Sequence, residues 1–228
     1  MVYDYLLFNL LIILLPTVSM ALYKRSIKPK LTNTILSIIL VGGPFVLWDS
    51  LVTQKFWFFN TDYIIGIYIG KVPLEELLFF VAVGYALLCL HVNFKQIVKK
   101  TVEINRYYII ISTLAMSIMC IISSIKGWFY SFCVFVLILI SIKLEARNNY
   151  SVLRTMSFWL MAVVTILLTL LFNYYLTSKP IVTYNYVYTM GIRINAMPVE
   201  DIVYGLLYAY FIIFFYEKPI LRLFESEK

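Results

Sequence analysis

The sequence predicts an all-α integral membrane protein with seven transmembrane helices, arranged as two parallel three-helix repeats plus one linker helix. Three observations carry that prediction. Hydrophobic residues fill 62% of the 228 positions and charged residues only 14%, with a mean hydropathy of +0.88; soluble domains run at roughly 45–50% and about 25%. The chain divides into seven uncharged apolar runs. Two segments 125 residues apart share one motif. A soluble globular domain, a disordered chain and a collagen-like chain are excluded by the composition. The alternating pattern of a membrane β-barrel is absent.

The runs fall at 5–23, 31–48, 77–90, 107–125, 127–142, 155–178 and 202–216. A bilayer core needs about 20 apolar residues per helix, and a helix satisfies its own backbone in lipid. The first run follows Asp4 with no Lys or Arg before it, the reverse of a secretory signal, so it reads as a retained helix. The fourth has no counterpart in the repeat and reads as the linker. The expected units are 1–100, 101–127 and 128–228. Cys89, Cys120 and Cys133 lie in apolar runs without metal-like spacing, and read as small hydrophobes. With a single His91 they make no metal site.

The net charge of +7 is spread between the runs, so it reads as a topology signal rather than a nucleic-acid surface. Fourteen of the nineteen Lys and Arg fall on one side, in loops 24–30, 95–106 and 143–154 and in the C-terminal tail. The positive-inside rule assigns that side to the cytoplasm. The expected location is the cell membrane, multi-pass, with the N-terminus outside and the C-terminus cytoplasmic.

The first copy of the repeat runs Trp48-Asp49, Trp57, Asn60, Gly66-Ile67, Pro73-Leu74-Glu75-Glu76. The second runs Phe172-Asn173, Asn185, Gly191-Ile192, Pro198-Val199-Glu200-Asp201. The extra crossing between them makes the repeats parallel, related by an axis along the membrane normal. Both Pro-x-Glu-acid motifs therefore open helices on the same membrane face, where two distant motifs can form one site.

Proline at the first helical position, expected for Pro73 and Pro198, needs no N–H partner. The acids behind it either complement the helix dipole or do chemistry. Three points favour chemistry. The run 202–216 is only 15 residues, so a full span draws Glu200 and Asp201 toward the apolar zone. Carboxylates at membrane depth are costly and usually functional. The motif also occurs twice. Adjacent helical residues point about 100° apart, so one acid of each pair faces squarely inward. Burial and nearby cations set such acids apart as donor and base, with Arg193 and Lys71 the cations nearest in sequence.

On these motifs the sequence resembles the membrane lycopene cyclases of the two-subunit or fused type. The matching residues are Pro73-Leu74-Glu75-Glu76 with Leu77-Leu78-Phe79-Phe80, Pro198-Val199-Glu200-Asp201, Trp48-Asp49, Trp57, Gly66 to Gly70 and Gly191 to Ile194. The resemblance spans both repeats. It implies acid/base cyclisation of the ψ-ends of lycopene to β-rings, through γ-carotene to β-carotene, with no net redox change; the class would be an intramolecular lyase or isomerase. It assigns the catalysis to Glu75, Glu76, Glu200 and Asp201, with Glu75 and Glu200 favoured. Supporting roles fall to Pro73, Pro198, Asp49, Trp57, Asn60, Asn185, Arg193 and Tyr204. The second repeat departs from the first: Asn173 or Tyr174 stands where Asp49 would fall, and no Trp matches Trp57.

Aromatic residues near the motifs suit a cationic intermediate, although most such rings serve membrane belts and packing. Tyr204, four residues after Glu200, shares its face. The aromatic loops 49–72 and 178–197 are expected on the membrane surface, roofing the site. No GxGxxG is present, so no flavin fold and no cofactor or metal is expected. The expected partners are the carotenoid, drawn from the bilayer, and membrane lipid; neither nucleic acid nor an obligate partner subunit is expected, since both repeats share one chain. The rival readings are a proton-coupled transporter and a cyclase or hydratase of another carotenoid, such as a C50 polyene. A retinal protein is disfavoured because 202–216 holds no Lys for a Schiff base.

Overall fold

The computed structural model describes residues 3–23, 26–147 and 151–218; Lys24, Arg25, Arg222 and Lys228 of the charge tally lie outside these described residues. Among them, seven helices are long and apolar enough to cross a membrane. They are α1 (Asp4–Leu22), α2 (Leu31–Val52), α3 (Leu74–Ile97), α4 (Arg106–Lys126), α5 (Phe129–Arg147), α6 (Met156–Ser178) and α7 (Val199–Glu217). The chain forms helices here because each run is apolar and each closes its own hydrogen bonds.

The helices assemble as two three-helix units. α1 packs on α3, and its equivalent α5 packs on α7. α2 crosses to α7 and α6 crosses to α3, while α3 and α7 meet each other at the centre. The linker α4 packs chiefly on α5. It ends at Gly127, whose φ of +75° makes a left-handed cap that turns the chain straight into α5.

The aromatic loops fold onto the ends of the helices. Strand β1 (Trp57–Phe59) follows α2 and strand β4 (Val182–Tyr184) follows α6, and the two pair antiparallel. The register is Trp57 to Tyr184, Phe58 to Thr183 and Phe59 to Val182. A shift of 125 carries Phe58 onto Thr183, so a residue faces its own equivalent. That self-complementary pairing is what a two-fold axis produces, and it places the axis between Phe58 and Thr183.

Each loop then makes a tight hairpin leading into a motif. Strand β2 (Tyr68–Ile69) pairs with β3 (Val72–Pro73), and β5 (Arg193–Ile194) pairs with β6 (Met197–Pro198). The turns open on Gly70 at φ +66° and on its equivalent Asn195 at φ +54°. Both types tolerate the left-handed backbone that such turns demand. The prolines differ from the expectation by one position. Pro73 and Pro198 are extended, at ψ 150° and 143°, and cap the helices from outside rather than opening them. They are the last residues of the hairpins, and the first helical amides bond back across them: Leu74 N–H to Ile67 O at 2.8 Å and Val199 N–H to Ile192 O at 3.1 Å.

At the other end of the bundle Glu217 on α7 joins α3, with Lys95 Nζ at 2.6 Å and His91 Nε2 at 2.8 Å. Between these ends α3 and α7 approach closely beside Gly84. A Cβ there would lie 3.0 Å from Tyr208 Oη and 3.1 Å from Ile38 Cγ1. Gly84→Leu is therefore expected to cost about 1–3 kcal/mol by overpacking, seen as a lowered midpoint of thermal unfolding in detergent.

Candidate active site

The two acids of each motif point to different places. Glu75 is fully buried and its Oε1 accepts from Ile65 N–H at 2.5 Å. Glu200, its equivalent, accepts from Met190 N–H at 2.7 Å and from Ser131 Oγ–H at 2.5 Å. Ile65 and Met190 directly precede Gly66 and Gly191, which take φ of +86° and +80°. Glu75 and Glu200 thus fasten each loop to the helix it precedes, and neither lines the central cavity. The Glu75 backbone carbonyl also accepts from Asn9 Nδ2 on α1 at 2.6 Å.

Glu76 and Asp201, one residue further along, turn inward. They line a cavity of about 160 Å³ together with Asp49 from α2. Asp49 and Glu76 are hydrogen-bond neighbours. Tyr5 on α1 donates its hydroxyl proton to Glu76. Asp49 Oδ2 is buried and meets no N–H or O–H donor among the described residues. Two carboxyl groups in contact pair only when one of them donates a proton to the other.

Asp201 has a different shell. Tyr130 on α5 donates to Oδ1 at 2.6 Å, and Asn173 on α6 and Tyr184 on β4 both donate to Oδ2, the amide at 3.2 Å. Burial pushes the Tyr184 phenol well above its ordinary range, with the Asp201 charge adding to it, so it stays protonated and remains a donor. Tyr5 and Tyr130 are equivalent by the 125-residue shift. Asn173 stands 124 residues after Asp49, and the same one-residue slip carries the buried face of α2 (Thr34, Ser37, Val41, Phe45, Asp49, Val52) onto the inward face of α6, where Phe158, Met161, Thr165 and Leu176 are buried and Thr169 and Asn173 half-buried. Asn173 rather than Tyr174 is therefore the counterpart of Asp49.

The remaining sequence candidates divide between wall and scaffold. Trp57 and Tyr204 line the cavity. The Tyr204 hydroxyl is buried without a partner among the described residues, and its ring packs 4.8 Å from Phe45. Asn60 and Asn185 cap short 3-10 turns, accepting from Asp62 N–H at 3.0 Å and Val187 N–H at 3.3 Å. Their own amides cross between repeats, to Ile181 O at 3.0 Å and Phe56 O at 2.7 Å. Pro73 and Pro198 aim the helix starts. Arg193 is exposed over the Tyr186 ring at 4.3 Å, and Lys71 is exposed on its hairpin; neither lines the cavity.

Four side chains that line the cavity and bond its acids fall outside the sequence candidates: Tyr5, Tyr130, Tyr184 and Asn173. The signal for the first two was present, since one shift of 125 relates them. Tyr184 belongs to the roof strand, and only the pairing of β1 with β4 brings it over Asp201. Away from the acids the cavity is walled by aliphatic and aromatic groups, including Ile12, Phe79, Val83, Ala86, Leu87 and Phe172. It is a largely apolar cavity that also carries three carboxyls and five phenols.

The sequence model of the family described as lycopene cyclase matches the chain twice, over residues 3–94 and 127–218. No curated protein and no solved structure matches it.

Proposed function

The chain belongs to the lycopene cyclase family and is a membrane enzyme that cyclises carotenoids; from that premise we propose that it converts the ψ-ends of lycopene to β-rings, through γ-carotene to β-carotene. The supporting observation is the cavity itself, largely apolar but lined by an acid pair and by a triply hydrogen-bonded carboxyl. The reaction needs one proton added and one removed per ring, so it is an isomerisation without net redox.

Each residue then has a role. The Asp49–Glu76 pair holds the proton and delivers it to the terminal double bond. The neighbouring double bond attacks the cation so formed and closes the ring. Trp57, Tyr204, Phe79 and Phe172 surround the charge with aromatic faces. Asp201, with its three donors, is arranged as an anion and removes the proton that leaves. Glu75 and Glu200 are positioning residues, holding the roof loops over the site. The substrate comes from the bilayer, no partner subunit is required, and the acidic motifs face the outer side of the cell membrane with the C-terminus in the cytoplasm.

Production of this chain in lycopene-accumulating cells is expected to yield cyclic carotenes, measured by chromatography of the extracted pigment. Unchanged lycopene, with the protein present in the membrane, would overturn the proposal.

A further inference from the structure

The two repeats are equivalent in backbone but not in the clefts they form. The open cleft lies among α1, α3, α6 and α7. Its walls include Val83, Ala86, Thr169 and Gly205. The two-fold partner of this cleft lies among α5, α7, α2 and α3. There the equivalent positions are Tyr208, Phe211, Phe45 and Phe80, by the shifts of 125 and, for α2 and α6, 124. At two of them a small side chain of the open cleft becomes a ring on the other side, Ala86 becoming Phe211 and Thr169 becoming Phe45; Tyr208 and Phe80 line the open cleft as well.

Those four rings form one packed cluster. Phe45 lies 5.0 Å from Tyr208, 6.1 Å from Phe80 and 6.4 Å from Phe211, and Phe80 lies 5.4 Å from Tyr208. All four are buried to 6% exposure or less. The Tyr208 hydroxyl is fixed by donating to Phe80 O at 2.7 Å, and it sits where a Cβ at Gly84 would come within 3.0 Å of it. The acids differ in the same sense: the paired carboxyls Asp49 and Glu76 of one repeat correspond to Asn173 and Asp201 of the other.

We infer that the molecule has one polyene-end site built from both repeats, its second cleft being closed by Phe45 and Phe211, which pack on Tyr208. This deepens the cyclase reading and rests on it. A symmetric polyene has two ends, and the site accepts one. The two rings are therefore made in separate binding events, and the monocyclic carotene leaves the protein between them. The smallness of Ala86 and Thr169 is what admits the end group.

The test is a time course with the purified protein in phosphatidylcholine vesicles containing lycopene in large excess. Monocyclic carotene is expected as nearly all the early product, with dicyclic carotene appearing after a lag. A constant ratio of dicyclic to monocyclic product from the first time point would overturn the inference. Ala86→Phe, which installs the ring found at the equivalent position, is expected to lower turnover about a hundredfold or more, and Ala86→Leu to a lesser extent. Thr169→Phe repeats the test from another wall if Ala86→Phe does not give a monodisperse protein. Phe211→Leu, in the closed cleft, is expected to leave turnover unchanged. Full activity of both Ala86→Phe and Thr169→Phe would overturn the assignment of the cleft. Wild-type protein giving no cyclic product would instead overturn the cyclase reading itself.

Discussion

Glu76→Gln and Asp201→Asn are each expected to lower turnover by about 10²–10⁴-fold, the usual worth of a positioned general acid or base, while the protein remains folded in the membrane. Both substitutions keep the side-chain shape. The amide in place of Glu76 can still accept from Tyr5, and the amide in place of Asp201 can still accept from Tyr130 and Tyr184. What each removes is a transferable proton or the base that receives one. Asp49→Asn tests the pair from its other member and is expected to act in the same direction, since an amide beside Glu76 cannot supply the proton. Turnover of lycopene in vesicles, with protein quantified by its Trp absorbance, separates these losses from loss of protein.

Glu75 and Glu200 should behave differently. Glu75→Gln and Glu200→Gln retain an oxygen for Ile65 and Met190 N–H, so most of the activity is expected to survive. Glu75→Ala leaves one buried amide without an acceptor and is expected to cost about 1–3 kcal/mol. Glu200→Ala leaves two donors, Met190 N–H and Ser131 Oγ–H, and is expected to cost more. Thermal unfolding in detergent, followed by Trp fluorescence, reads the order wild type, Glu75→Ala, Glu200→Ala. Activity abolished in both Gln variants, with stability unchanged, would move the chemistry to Glu75 and Glu200.

The sequence was informative about everything that depends on apolar length and on repetition. Seven runs became seven helices because hydrocarbon leaves the backbone no other solution. The repeat was legible because Asn60 and Asn185, Gly66 and Gly191, and Pro73 and Pro198 keep the same spacing, and the hairpins show why: a capped turn, a left-handed glycine and a helix start must fall in a fixed order. The acids were legible as a site because four of them open two equivalent helices in a chain poor in charge.

Which acid of each pair faces the cavity was not legible. That choice depends on the rotation of α3 and α7 about their axes, which is fixed by hairpins whose pairing runs through β2–β3 and β5–β6 rather than through the motif. The prolines' place outside the helices is part of the same geometry. The counterpart of Asp49 was ambiguous for a similar reason. The stretch from Asn173 to Asn185 is one residue longer than that from Asp49 to Asn60, and only the inward faces of α2 and α6 show where the extra residue falls. Tyr5, Tyr130 and Tyr184 were hidden among nineteen tyrosines, most of which serve packing and the membrane interface.

The central claim is that a proton held by the Asp49–Glu76 pair starts ring closure. It is tested most directly by a single turnover in D2O, with protein equilibrated in D2O and in excess over lycopene, and the product read by mass spectrometry. Carboxyl protons exchange with solvent, so the account predicts one deuterium for each ring formed. Cyclic product carrying no deuterium would contradict it.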